Sequence, residues 1–288
     1  MRVAVVGHTE WIWFGAVDHI PGPGEIAHAT EDWEVPGGGG AVAAVQLARL
    51  VGDCDLFTAV GDDVFGRRTV EDLTARGVRV HAAVRPGASR RALTMIGPDG
   101  ERTITTLGSR LGPHAADPLP WERLAETDAV YVTAGDAGAF AEARRAGTMV
   151  ATTRALGDLL ASGVVPDAMV GSARDPAERV DVGALPWRPS VVVRTEGVEG
   201  GSFETGDGRS GRYATARRPA ESDERADAYG AGDSFAGCLT FALGSGSSIE
   251  DASAFAAACG AACASGRGPY AKQLADSDMA RHPPSGGR

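Results

Sequence analysis

At 288 residues, with 43% hydrophobic and 23% charged positions, the chain has room for one large α/β domain and a small appendage. Its formal net charge of −10 argues against general affinity for nucleic acid or anionic membrane, yet permits an anionic substrate held by a local positive field. No run of 18 apolar residues and no signal-peptide pattern is present, so the expected location is cytoplasmic, with no membrane partner.

Arg2-Val3-Ala4-Val5-Val6-Gly7 is a short apolar run closed by glycine, the pattern of a buried parallel strand. Residues 25–35 mix polar and apolar positions as half-exposed strands do. Pro36-Gly37-Gly38-Gly39-Gly40-Ala41 joins that stretch to a helix over 40–51, which Gly52 stops. Four glycines let backbone approach a ligand with no side chain in the way, so a binding loop is favoured over a flexible linker. Strand is expected at 56–60, helix at 65–76 closed by Gly77, and strand again at 78–84. Pro98-Asp99-Gly100 predicts a hairpin turn between strands 92–96 and 102–106. Strands at 129–133, 148–151, 168–170 and 190–193 follow, with a helix over 139–146.

Strands alternating with helices mean a mainly parallel sheet covered on both faces, with ligands bound beyond the carboxyl ends of its strands. Two segments, about 10–36 and 89–108, break the alternation. They are expected to form a small β-sheet lid over the site, a surface hairpin being the plainer alternative. The domain is expected to span 1–270. A polar tail covers 271–288 and is expected to be disordered after Gln273.

Asp227-Ala228-Tyr229-Gly230-Ala231-Gly232-Asp233 runs into an apolar helical stretch over 234–243. A small-residue turn thus opens a helix and sets a carboxylate in its first turn. Free N–H groups and the positive end of the helix dipole make that turn an anion trap. Asp233 beside it suits the removal of a proton from a hydroxyl attacking a phosphoryl group, although a carboxylate there can also be only a cap.

Several alternatives fall away. Lys272 is the single lysine and lies in the polar tail, so a P-loop is excluded and Schiff-base chemistry has no support. Gly206-Asp207-Gly208-Arg209-Ser210-Gly211 has dinucleotide-fingerprint spacing, but a strand-like segment follows it, so it is read as a hairpin loop. Cys54, Cys238, Cys259 and Cys263 form no Cys-x-x-Cys pair and are read as buried thiols. Ser234 as a hydrolase nucleophile lacks a histidine base, since only His282 follows it.

Five motifs in order resemble the ribokinase-like, or PfkB, family of sugar and nucleoside kinases over about residues 2–269. They are Gly37-Gly38-Gly39-Gly40-Ala41, Gly61-Asp62-Asp63-Val64-Phe65-Gly66, Asp99-Gly100-Glu101-Arg102-Thr103, Thr195-Glu196-Gly197-Val198-Glu199-Gly200 and the Asp227–Asp233 signature. The resemblance implies a three-layer α/β/α Rossmann-like sandwich with a β-sheet lid, and an ATP-dependent kinase using Mg2+. It implies Asp233 as base, the N–H groups of Gly230, Ala231 and Gly232 as anion hole, and Thr195, Gly197, Gly200 and Ser172 beside the nucleotide. Gly37, Gly38 and Gly39 would touch the acceptor. Asp175 would order Mg2+-bound water. Asp227 and the segment 265–268 would border a K+ site, and the lids would pair in a homodimer.

The departures touch the acceptor side and the metal side, while the Gly230–Asp233 turn is kept. Val42 stands where the family carries Asn, and Ala228 where it carries Thr. Ser172 and Asp175 take the positions of its Asn-x-x-Glu. Its sugar-gripping Asp after the first strand is missing; either Glu10 substitutes for it or the acceptor is less polar than ribose, and Trp11, Trp13 and Phe14 are candidates either for stacking on ligand or for lid packing. The rival to a kinase is a nucleotide- or sugar-binding sensor of the same fold without turnover.

Overall fold

The computed structural model describes residues 1–216, 222–223 and 226–279. The chain runs through β1 (Val3–Val6), β2 (Glu10–Ala16), β3 (Glu31–Gly37) and α1 (Gly39–Val51). Next come β4 (Cys54–Gly61), α2 (Val64–Ala75), β5 (Val78–Arg85), β6 (Arg91–Ile96) and β7 (Arg102–Leu107). The second half adds β8 (Ala129–Val132), α3 (Ala137–Ala143), β9 (Thr148–Thr152), α4 (Leu156–Ser162), β10 (Ala168–Ser172), β11 (Val191–Thr195), β12 (Gly201–Thr205) and β13 (Ser210–Tyr213). Helices α5 (Ala231–Gly244), α6 (Ile249–Cys263) and α7 (Asp276–Met279) complete it.

Nine strands form one sheet in the order β13-β12-β11-β10-β9-β8-β1-β4-β5. It is parallel from β11 to β5, with β12 and β13 antiparallel at the edge. Successive side chains of a strand point to opposite faces, and both faces here are apolar. Val3 and Val5 of β1 join the core of α1, α5 and α6, whereas Ala4 and Val6 join the core of Phe140 on α3 and Leu159 on α4. Val191 and Val193 alternate with Val192 in the same way. Two helical layers therefore sandwich the sheet, as expected.

The second sheet has the order β3-β2-β6-β7 and is the lid. Residues 7–9 link β1 to β2, and β3 leads straight into α1, so the lid hangs from the carboxyl end of the main sheet. The hairpin of β6 and β7 forms around residues 98–100 as the sequence predicts, pairing Ile96 with Arg102. The first lid segment differs. Strand begins at Glu31 rather than residue 25, because β2 offers partners only from Ala16, opposite Glu31. Residues 25–30 are left without a ladder, and Ile26 is 81% exposed.

The segment assigned to a polar tail also differs. Gln273 is buried, donating from Nε2 to the Val42 carbonyl (3.0 Å) and to Ser234 Oγ (2.9 Å), and α7 follows it. The rest of that tail, 280–288, lies outside the described residues. All four cysteines are unpaired and buried. Among the described residues no helix is long and apolar enough to cross a membrane.

Candidate active site

Gly230 opens α5 with φ of 80°, a left-handed conformation that favours glycine. A Cβ there would also stand 2.9 Å from Pro269 Cβ and 3.0 Å from Val42 Cγ1, so both backbone and packing exclude a side chain. Val42, the residue in place of the family's Asn, is buried beneath this turn. The N–H groups of Gly232 and Asp233 meet no acceptor among the described residues. That of Ala231 reaches only the Ala228 carbonyl, at 3.4 Å. The Gly230 N–H likewise meets no acceptor among the described residues, so Gly230 and Gly232 of the expected donors are free, and that of Asp233 joins them. Gly232 is exposed, with open space where its Cβ would be.

A second helix N-terminus meets the first. Gly38 caps α1 with φ of 85°, and a Cβ on Gly39 would come within 2.9 Å of Asp233 Oδ1. Both helix dipoles thus point their positive ends at one spot. Asp233 itself accepts no hydrogen bond from the described residues. Burial pushes its pKa up to about 6; the Glu178 and Glu10 carboxylates add to the rise, and Arg102 and Arg154 oppose it.

On the lid side, the Tyr229 hydroxyl accepts from the Gly38 N–H (3.2 Å) and donates to Glu10 (3.4 Å). Glu10 is buried and lies 2.9 Å from Arg90. A Cβ on Gly37 would collide with Ile12 and the Tyr229 hydroxyl, and one on Gly38 would stand 3.2 Å from the His8 ring. Gly37, Gly38, Gly39, Glu10 and Asp233 are therefore brought together. Two of the three aromatic candidates serve lid packing. Trp11 and Phe14 are buried, Phe14 stacking on Trp33 at 5.0 Å, and Trp13 is exposed.

The proposed nucleotide side lies at the ends of β10 and β11, where Ser172 pairs with Thr195. Gly197 has φ of 65°, and Arg174 Nη1 lies 3.1 Å from where its Cβ would be. Gly200 has a packing reason of its own: it is buried, and a Cβ would collide with the Tyr213 carbonyl. Asp175 accepts from the Ala177 N–H (2.9 Å) and is ion-paired with Arg154.

Sequence reasoning missed Glu178. It accepts from the Ser172 N–H (2.6 Å), pairs with Arg154 (2.6 Å), and is the carboxylate that most raises Asp233. The signal was present in Asp175-Pro176-Ala177-Glu178, the spacing of a capped helical turn. A cavity of about 280 Å3 borders it, lined by Thr153, Ser172, Glu178, Arg179 and Arg194. Asp227 is fully buried and accepts from the Tyr229 and Gly268 N–H groups (2.8 and 2.6 Å), tying the turn to 265–268; burial pushes its pKa up.

Ser234 is fully buried with its hydroxyl bound to Gln273, and His282 lies outside the described residues, so the hydrolase alternative has no support. Among the described residues no group of three His, Cys, Asp or Glu is placed to hold a metal. Mg2+ rarely needs one. It is held by one or two carboxylates together with substrate phosphates, and Asp175 and Glu178 fit that donor set.

Residues 1–156 and 166–275 match the family described as pfkB family carbohydrate kinase. An ATP-dependent ribose-1-phosphate kinase of Halopiger xanaduensis is 27% identical, covering 96% of each chain. A putative ribokinase from Agrobacterium tumefaciens superposes with a TM-score of 0.79 at 21% identity, covering 97% of this chain and 96% of that one. Arabidopsis thaliana ribokinase complexed with ribose and ATP gives 0.75 at 18% identity, covering 97% of each. The chain belongs to the pfkB family of carbohydrate kinases and is a phosphotransferase acting on an alcohol group.

Proposed function

We propose that this kinase transfers the γ-phosphoryl group of ATP to a hydroxyl of a sugar or nucleoside, with Asp233 as general base. The observation that carries this is the Asp233 carboxylate, unbonded, pushed to about 6, and set where two helix N-termini meet. A base with a pKa near the working pH is ionised yet still basic enough to take the proton. The free N–H groups of Gly232 and Asp233, with Gly230 shaping the turn, stabilise negative charge in transit. Gly37, Gly38, Gly39 and Glu10 line the acceptor side; Thr195, Gly197 and Ser172 line the nucleotide side.

When bound, Mg2+ neutralises phosphate charge, and Glu178 and Asp175 are the residues that would hold it. Asp227 keeps 265–268 beside the turn, the place for K+; rates in K+ and Na+ salts at equal ionic strength test this. Trp13, Leu93 and Leu107 form an exposed apolar patch on the lid, which supports a homodimer through the lids. Four reduced, buried cysteines suit the cytoplasm.

The test is ADP release across sugars, sugar phosphates and nucleosides, with ribose 1-phosphate, named for the haloarchaeal relative, tried first. Tight binding with no ADP from any acceptor would favour the sensor. The buried place of Val42 beneath an intact catalytic turn favours turnover.

A further inference from the structure

One buried amide joins the first turns of α1 and α5, the two helix N-termini that meet at Asp233. Gln273 is 4% exposed and donates from Nε2 to the Val42 carbonyl of α1 (3.0 Å) and to Ser234 Oγ of α5 (2.9 Å), which uses both of its amide hydrogens. Ser234 is the residue after Asp233, and its N–H closes the turn on the Gly230 carbonyl (2.8 Å). Val42 packs against Gly230, the other end of that turn. The segment that carries Gln273 is itself held to α1. Gln46 Nε2 donates to the Leu274 carbonyl (2.8 Å), and Arg49 Nη1 donates to the Gln273 carbonyl (3.0 Å). Further along, the two helices meet through small residues: a Cβ on Gly237 would stand 3.2 Å from the Ala43 carbonyl. Small apolar contacts are non-directional, so they press the helices together without fixing how one slides along the other. Hydrogen bonds do fix it, because they weaken steeply with misalignment.

Resting on the kinase reading above, we propose that Gln273 is a positioning residue: its amide sets α5 against α1 along their axes and so fixes where the Asp233 carboxylate stands relative to Gly38 and Gly39. It acts through Ser234 and Val42 rather than on the reacting atoms. A Cβ on Gly39 would come within 2.9 Å of Asp233 Oδ1, so the carboxylate already lies close to the start of α1. A slide of about 1 Å would drive it into that backbone or withdraw it, and a misplacement of that size costs about 100-fold in rate. The Oε1 atom of Gln273 is buried without a partner, a cost that an apolar side chain would avoid. What the amide supplies in return is its two donors, one for each helix.

Gln273→Met keeps the length of the side chain and removes both donors. Its steady-state rate is read from ADP release, per mole of folded protein, with the acceptor of highest kcat/KM in wild type. Here kcat should fall about 10- to 100-fold while KM for ATP and for the acceptor stay within about 3-fold, because the pocket walls remain and the base moves. Ser234→Ala removes one of the two contacts and should lower kcat less. In the double variant it should add nothing to Gln273→Met, since the contact it removes is already gone. A purely structural role would instead lower Tm and leave kcat per folded molecule in place. Unchanged kcat in both single variants, or effects that multiply in the double variant, would overturn the proposal while the kinase stands. If Gln273→Met does not fold, Ser234→Ala decides: a lowered kcat at wild-type KM supports the brace, and an unchanged kcat overturns it. Wild type that releases no ADP with any acceptor would remove the kinase reading and this inference with it.

Discussion

The two ends of the parallel sheet hold similar residues in opposite electrostatic states. At the amino ends, Asp55 sits beside a cleft of about 290 Å3, as large as the cavity near the site, so size does not separate the two. Burial alone would raise Asp55. Hydrogen bonds from His81 (2.7 Å), Arg79 (3.1 Å) and Arg123 (3.1 Å) outweigh it and hold the carboxyl well below the usual range. At the carboxyl ends, Asp233 is raised, with no donor on it, and His8 Nδ1 nearby is buried without a partner. Charges that satisfy one another hold a fold together; charges left unsatisfied await a ligand.

The hardest blow to this contrast would be an Asp233→Asn enzyme that still turns over. Loss of a general base costs about 10²- to 10⁴-fold, so kcat should fall by that much with the circular dichroism spectrum unchanged. Gly230→Ala comes next. Strain at positive φ plus the clash with Pro269 and Val42 should cost about 2–4 kcal/mol, read by urea denaturation. Asp55→Asn should leave kcat intact and cost only about 1–2 kcal/mol, since Arg79 and Arg123 are 43% and 44% exposed and water screens them.

The two carboxylates should also move stability in opposite directions with pH. The Asp55 pKa is depressed on folding, so its contribution is present at neutral pH and fades as pH falls below about 4. That of Asp233 is raised, so its contribution is full below about 4 and lost as pH rises through about 6. Asp233→Asn should therefore raise Tm at pH 8 by about 2–5 °C and change it little at pH 4. A fall in Tm at pH 8 would make Asp233 a structural cap.

Most of the fold was legible because its signals are local. The hairpin at 98–100, the Gly52 and Gly77 stops and the turn at 230–233 each depend on a few adjacent residues. The carboxylate of Asp233 was legible for the same reason. What escaped needed contacts distant in sequence. Residues 25–30 looked like strand, but β2 has no residue left to pair with them. Gln273 looked like tail and is buried against Val42, 231 positions away. Glu178 was hidden because its importance lies in reaching Ser172 and Arg154 rather than in its own segment.

Glu178 gives the most discriminating prediction, read from the pH midpoint because loss of a carboxylate placed to hold Mg2+ also lowers the rate. Asp233 must be ionised to accept a proton, so kcat/KM should fall on the acid side with a midpoint near 6 in wild type. After burial, Glu178 is the largest cause of that raised value. Glu178→Gln keeps the shape and the acceptor oxygen facing the Ser172 N–H but removes the charge, so the acid midpoint should move down. Glu178→Ala should move it the same way while also freeing Arg154. If both variants keep the wild-type midpoint, the limb belongs to another group, and Asp233 loses the electrostatic contrast with Asp55.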